Sequence, residues 1–172
     1  YNANEPEYTL MDEADLRGFA YLSQTNDFAG KTIKLGADIV LNTGDAADWA
    51  TTAPESAWTP IGNATARFKG IFDGQGYTIS GLYVKDSAAD AGQAIFSCID
   101  GATVKNFKLV NSYIASSQAM ADAQVWGRVG SIVGTAYSGT VENIYSDAML
   151  SGRAMFNGGI VGLYRAPRVA GV

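Results

Sequence analysis

Short segments of this chain recur in a fixed order, and their spacing restricts the fold more than any other feature. Each repeat begins with Thr and a β-branched residue, followed two residues later by Gly or Asn and a large apolar residue. Two further kinds of apolar segment alternate with this one. The three sets are TISGLYV (78–84), TVKNFKL (103–109) and TVENIYS (140–146); AIFS (94–97), SIVG (131–134) and GIVG (159–162); and SYIAS (112–116) and AMLSG (148–152).

One connection between these segments has a constant length, whereas the other varies. Nine residues separate Ile95 from Val104, and nine again separate Ile132 from Val141, but the return connections measure 16, 28 and 19 residues. Stacked coils have this property, because a tight corner must superpose while insertions bulge from one side. The sequence therefore predicts an all-β fold: a right-handed parallel β-helix (β-solenoid) with three short strands per coil. An antiparallel sandwich fits less well, since Asn-Gly hairpin turns at regular spacing are missing.

The alignment of the repeats also predicts which side chains stack inside. One expected ladder contains Ile79, Val104 and Val141, and a second contains Leu82, Phe107 and Ile144. Gly81, Asn106 and Asn143 are expected at one equivalent corner, where left-handed backbone geometry costs least for Gly and Asn.

The N-terminal part has a different pattern. Residues 12–24 show helical spacing of apolar side chains behind the N-cap candidate Asp12, which predicts a short amphipathic helix that covers the end of the stack. A first strand over 31–42 and a polar loop over 43–57 follow. We therefore divide the chain into an N-terminal cap (1–57) and a repeat region (58–172), and we expect the repeats to continue beyond the last residue.

Composition excludes several kinds of chemistry. The 172 residues include no histidine and a single cysteine, so a Ser-His-Asp system, His-ligated zinc and an internal disulfide are all excluded. The net charge of −5 argues against nucleic acid or an anionic membrane as the main partner, and no apolar run is long enough to insert into a membrane. Cys98, in an apolar stretch, is predicted to be a buried small hydrophobe.

Acidic residues supply the only other candidates for a metal or catalytic site. Asp73 in FDGQG is predicted to bond its own backbone in a turn, with a calcium ligand or a catalytic acid as the alternatives. The acids within 42–49 and 86–90 lack the spacing of a calcium loop, so we interpret them as solvated loop residues. We accordingly predict no catalytic residues, no metal and no cofactor.

The stretch FKGIFDGQGYTISGLYV, followed by SIVG and GGIVG, resembles the GLUG-repeat β-helix segments of bacterial surface proteins. Such segments occur in adhesin-like proteins and in non-catalytic regions of immunoglobulin A-cleaving metalloproteases. The resemblance covers about residues 9–165 and implies an extracellular or secreted protein of the bacterial surface. The zinc motif of the metalloproteases is absent, so the resemblance assigns no catalytic residue.

Three classes of function follow. The leading prediction is a non-catalytic extracellular module that acts as an adhesive or structural scaffold. The alternatives are a carbohydrate-active protein (polysaccharide lyase or glycoside hydrolase) and an accessory domain of a secreted protease. The long connection 115–128 is predicted to face a partner, a host or bacterial surface protein or a glycan, through Met120, Trp126 and Arg128. Self-association through the last coil, which no helix covers, is a further expectation.

Overall fold

A computed structural model describes residues 2, 4–86, 92–116, 127–152 and 154–165. One α-helix, one 3₁₀ helix and fifteen short strands make up the regular structure of these residues. The helices are α1 (Glu13–Leu22) and the 3₁₀ helix Ala46–Ala50. The strands are β1 (Glu7–Leu10), β2 (Thr32–Leu35), β3 (Ile39–Val40), β4 (Ile71–Asp73), β5 (Thr78–Ser80), β6 (Tyr83–Lys85), β7 (Phe96–Ile99), β8 (Ala102–Val110), β9 (Tyr113–Ser116), β10 (Arg128–Val129), β11 (Val133–Ala136), β12 (Gly139–Ser146), β13 (Met149–Gly152), β14 (Phe156–Asn157) and β15 (Val161–Tyr164).

Helix α1 forms where the apolar spacing predicts it, and its predicted N-cap is confirmed. The Asp12 side chain accepts a hydrogen bond from the Asp15 amide, which satisfies one of the open donors of the first turn. The helix buries Leu16, Phe19 and Ala20 against the core. The predicted strand over 31–42 is instead divided into β2 and β3, and the loop after it contains the 3₁₀ helix.

Every strand pairing in the described part of the chain is parallel, and the pairs form four small sheets. The largest sheet has seven strands in the order β1-β2-β4-β8-β5-β3, with β12 on the free side of β8. Two three-stranded sheets contain β15-β11-β7 and β13-β9-β6, and the two strands β10 and β14 form the last. Parallel strands require long connections between neighbours, which accounts for the variable segments between the repeats.

Most of the sequence repeats pair in the predicted register. TVKNFKL lies beside TVENIYS with Val104 opposite Val141. SYIAS lies beside AMLSG. AIFS, SIVG and GIVG lie side by side, since Val133 is opposite both Phe96 and Val161.

The first repeat, TISGLYV, does not pair in the predicted register, and the predicted ladders are wrong at that point. Ile79 is opposite Leu109 rather than Val104, whose partner is Phe72 of β4. Leu82 lies beside Ser112, whose hydroxyl accepts its amide hydrogen bond, and is therefore remote from Phe107 in register. Gly81 donates its backbone N–H to the Asn111 carbonyl, so the predicted shared corner with Asn106 is also wrong.

The predicted fold class, an all-β right-handed parallel β-helix with three strands per coil, is therefore corrected. The architecture is mixed: four small parallel sheets of unequal size with one α-helix, and the sheets are not arranged as a right-handed β-helix. The long strand β8 pairs with two short strands, β4 and β5, on one side and with β12 on the other. Equivalent coils would each contribute one strand to each sheet, but the first five strands, β1 to β5, all belong to the largest sheet.

The core consists of one large cluster that extends from α1 to the last strands and of a small second cluster around Trp49, Tyr83 and Tyr113. The large cluster contains four fully buried rings that contact one another in the order Phe68, Phe96, Phe72 and Phe107, with neighbouring ring centroids 5.3 to 5.5 Å apart. Burial of such rings is a major source of stability, and edge-to-face contacts between them add to it. The predicted burial of Cys98 is confirmed, since its side chain is inaccessible to solvent.

Candidate functional site

A ladder of three side chains crosses the largest sheet at the stretch that contains Asp73. Asn106 donates its side-chain N–H to Asp73 Oδ1 over 3.0 Å, and Asn143 donates to Asn106 Oδ1 over 3.1 Å. Both asparagines have positive φ, 60° and 53°, in which Asn is one of the few residues tolerated. We call these three residues the amide ladder.

Asp73 is held by three neighbours. Its Oδ1 accepts the Gln75 backbone N–H at 3.0 Å, which is the predicted turn, and Lys105 Nζ lies 3.7 Å from Oδ2. Burial raises the pKa of the Asp73 carboxyl, but the bonds from Asn106 and Gln75 and the Lys105 charge outweigh it, so the pKa lies below its ordinary value of 3.8. A general acid needs a raised pKa, so the lowered pKa of Asp73 does not suit it to that role.

Beside the amide ladder lies an open depression of about 710 Å³. Its walls come from three neighbouring segments of the largest sheet, and its lining residues include Gln75, Lys108, Asn143 and Tyr145. Tyr145 is 56% exposed. Amide groups beside an exposed aromatic ring can bind sugar hydroxyls and a sugar face, so this depression is the best candidate for a ligand site in the described structure. The prediction from the sequence missed it, because the register of the first repeat was wrong.

The predicted partner-facing residues are only partly covered by the structure. Arg128 lies half-buried in β10, where its backbone carbonyl accepts the Gln93 amide at 2.8 Å. Met120 and Trp126 lie outside the described residues. Their predicted role stays a prediction.

Asp45 and the two described tryptophans have structural roles. Asp45 caps the 3₁₀ helix by accepting the Ala47 amide. Trp49 from that helix is buried against Tyr83, and the Trp58 indole donates to the Ile95 carbonyl at 3.1 Å. Among the described residues no three His, Cys, Asp or Glu side chains come together as a metal-binding group.

The comparisons with known proteins give one likeness. No family model matches this chain, and no solved structure matches it. The chain is 31% identical over 120 residues to Halomucin of Haloquadratum walsbyi (strain DSM 16790 / HBSQ001), a match that covers 66% of this chain and 1% of that protein. In general terms this likeness indicates a cell-surface, extracellular protein. No helix in the described part of the chain is long and apolar enough to span a membrane.

Proposed function

We propose that this chain is a non-catalytic module of an extracellular surface protein, in which it acts as a structural or adhesive scaffold. The amide ladder carries the proposal. The carboxylate of the ladder, Asp73, is bound by an amide, a backbone N–H and a lysine, and its lowered pKa suits a permanent charge rather than proton transfer. The likeness to Halomucin supports the extracellular setting but extends over only 1% of that protein.

The first test is an assay for polysaccharide cleavage. The purified chain is incubated with acidic and neutral polysaccharides, and new reducing ends and unsaturated products are measured beside a heat-denatured control. We expect no cleavage above the control. Cleavage that Asp73→Asn abolishes without loss of folding would contradict the proposal and assign catalysis to the ladder.

Glycan binding is the second candidate function, because the depression combines Tyr145, Gln75 and Asn143. A glycan array with the unmodified chain and Tyr145→Ala tests it, with Tyr21→Ala as the matched control, since Tyr21 is 77% exposed on α1 and remote in sequence from the depression. Retention of glycan by Tyr145→Ala would exclude the depression as the site.

A further inference from the structure

One tripeptide of this chain has the sequence that accepts N-linked glycans. Of the nine asparagines, only Asn63 is followed two residues later by Ser or Thr, in Asn63-Ala64-Thr65. An Asn-x-Ser/Thr tripeptide of an exported chain is an acceptor when it lies in a surface loop that has room for a bulky sugar. The tripeptide also occurs in proteins that carry no glycan, so the position and the contacts of Asn63 are decisive.

The tripeptide lies in a loop that projects from the fold. At one end of the loop, Ile61 forms a parallel bridge with Phe96. At the other end, Phe68 forms one with Ile99. Six residues between the two bridges therefore lie opposite only two residues of β7, and the longer segment must bulge away from the strand. We call residues 62–67 the acceptor loop.

The hydrogen bonds of the Asn63 side chain are compatible with an attached sugar. Its Oδ1 accepts the backbone N–H groups of Thr65 at 2.8 Å and Ala66 at 2.7 Å, which forms an Asx turn. Its Nδ2 donates to the Gln24 carbonyl at 2.9 Å and lies 3.4 Å from Gln24 Oε1. A side-chain amide nitrogen carries two hydrogens, and an N-linked sugar replaces one of them. The bond to the Gln24 carbonyl can therefore remain, because only the longer contact has to be given up.

Open space lies beside the Asn63 carboxamide. The three residues that bond to this side chain, Gln24, Thr65 and Ala66, also line an open depression of about 620 Å³. Most of the other lining side chains are polar, and Thr65 is exposed. A first sugar on Nδ2 thus has polar neighbours for its hydroxyls, and the rest of the glycan extends into solvent without displacing a core side chain.

We infer that Asn63 is an N-glycosylation site. The donor is an oligosaccharide carried on a lipid phosphate or diphosphate, and the catalyst is an oligosaccharyltransferase of the producing cell. Nδ2 forms a bond to C1 of the first sugar while the bond from C1 to the carrier oxygen breaks. The carrier leaves with that electron pair, and the Nδ2 proton passes to a base of the transferase. The inference rests on the extracellular setting proposed above, because such transferases act on exported chains.

The mass of the intact secreted chain tests the inference. The full chain is exported from a cell that N-glycosylates its secreted proteins, both unmodified and with a second Asn-Ala-Thr appended to its C-terminus. The cell is one in which the appended tripeptide is glycosylated, so that access of the transferase to the chain is assured. We expect a glycan on the unmodified chain, and peptide mapping after enzymatic release in heavy-oxygen water should locate it at Asn63 as a labelled aspartate.

Thr65 provides a matched pair of variants. Its side chain makes no hydrogen bond to any described residue, and its backbone N–H alone bonds to Asn63, so a small change of this side chain leaves the Asx turn in place. Thr65→Ala removes the hydroxyl that the acceptor sequence requires and should carry no glycan at Asn63. Thr65→Ser retains the hydroxyl and should be glycosylated.

Three results would overturn the inference: no glycan at Asn63 while the appended tripeptide carries one, a glycan that persists on Thr65→Ala, or a glycan attached only at another residue. The polysaccharide assay separates these results from the proposed function. A chain that lacks the glycan and cleaves nothing contradicts the glycosylation site alone, whereas a glycosylated chain that cleaves polysaccharide contradicts the non-catalytic function alone.

Discussion

Gly74 tests whether the first repeat lies in the register that the structure gives it. Its backbone N–H donates to the Lys105 carbonyl at 2.8 Å, and Gly76 donates to the Asn106 carbonyl at 2.7 Å. A Cβ at residue 74 would overlap Phe107 Cβ and come within 2.7 Å of the Asn106 carbonyl oxygen. Neither neighbour can move away easily, because Phe107 is buried in the core and the Asn106 backbone belongs to β8.

Gly74→Ala should therefore force the two segments apart. Overpacking of a dense core costs about 1–3 kcal/mol, and weakening one of the two backbone hydrogen bonds adds about 1 kcal/mol. We expect the free energy of unfolding in urea to fall by about 2–4 kcal/mol, a large part of the roughly 5–15 kcal/mol of a typical domain.

Two other glycines provide controls for this measurement. Gly18 lies in α1 with nothing within 4 Å of an added Cβ, so Gly18→Ala should stabilise by about 0.5–1 kcal/mol through helix propensity. Gly76 also has open space but a φ of +86°, so Gly76→Ala should cost about 1–2 kcal/mol from backbone strain alone. A Gly74→Ala chain as stable as the unmodified one, or more stable than Gly76→Ala, would refute the register.

Four further substitutions test the core and the ladder by urea denaturation. Phe72→Ala should cost about 3–5 kcal/mol as a large-to-small core change, and a cost under about 1 kcal/mol would mean that residue 72 is not central. The pKa of Asp73 lies below 3.8, so its carboxylate stabilises the fold fully above that value and the contribution is lost as pH falls through the lowered pKa. Asp73→Asn should therefore differ most from the unmodified chain near neutral pH and least at about pH 2, and a constant difference would contradict this. Asn106→Gly removes two ladder bonds and should cost about 1–2 kcal/mol, whereas Asn143→Gly removes one and should cost about half as much.

Pairings between the later repeats could be predicted from the sequence, because constant spacing fixes them. Ile95 precedes Val104 by nine residues, and Ile132 precedes Val141 by the same number. Because this spacing is constant through the corner, the two repeats can pair in only one register. The amphipathic helix was also predictable, since its apolar period and its cap lie within one continuous segment. Local patterns of this kind do not depend on the arrangement of the sheets.

The register of the first repeat could not be predicted, because Gly and Asn mark more than one kind of corner. Matching Gly81 to Asn106 aligned two left-handed residues that lie at different corners, since Gly81 pairs with Asn111, whose φ is also positive at 44°. Asp73 pairs with Lys105 and Thr78 pairs with Lys108, so the segment 74–77 lies opposite residues 106–107. The segment 74–77 is thus two residues longer than the part of β8 that it faces. Pattern matching has no way to detect that insertion. The depression was not predicted from the sequence for the same reason, because it forms only when these residues lie beside Asn143 and Tyr145.

The amide ladder explains why asparagine rather than glycine stands at two left-handed positions. Glycine would adopt the φ of 60° or 53° at Asn106 and Asn143 at lower cost. It would lack the amide that joins each strand to the one before it, however, and parallel strands can slip in register where only backbone bonds hold them. A slip of one residue breaks both ladder bonds and turns every apolar side chain of β12 to the wrong face. A side-chain hydrogen bond that fixes the register of the strands thus offsets the backbone strain at each asparagine. Asp73 accepts the first of these bonds and contributes to the same register.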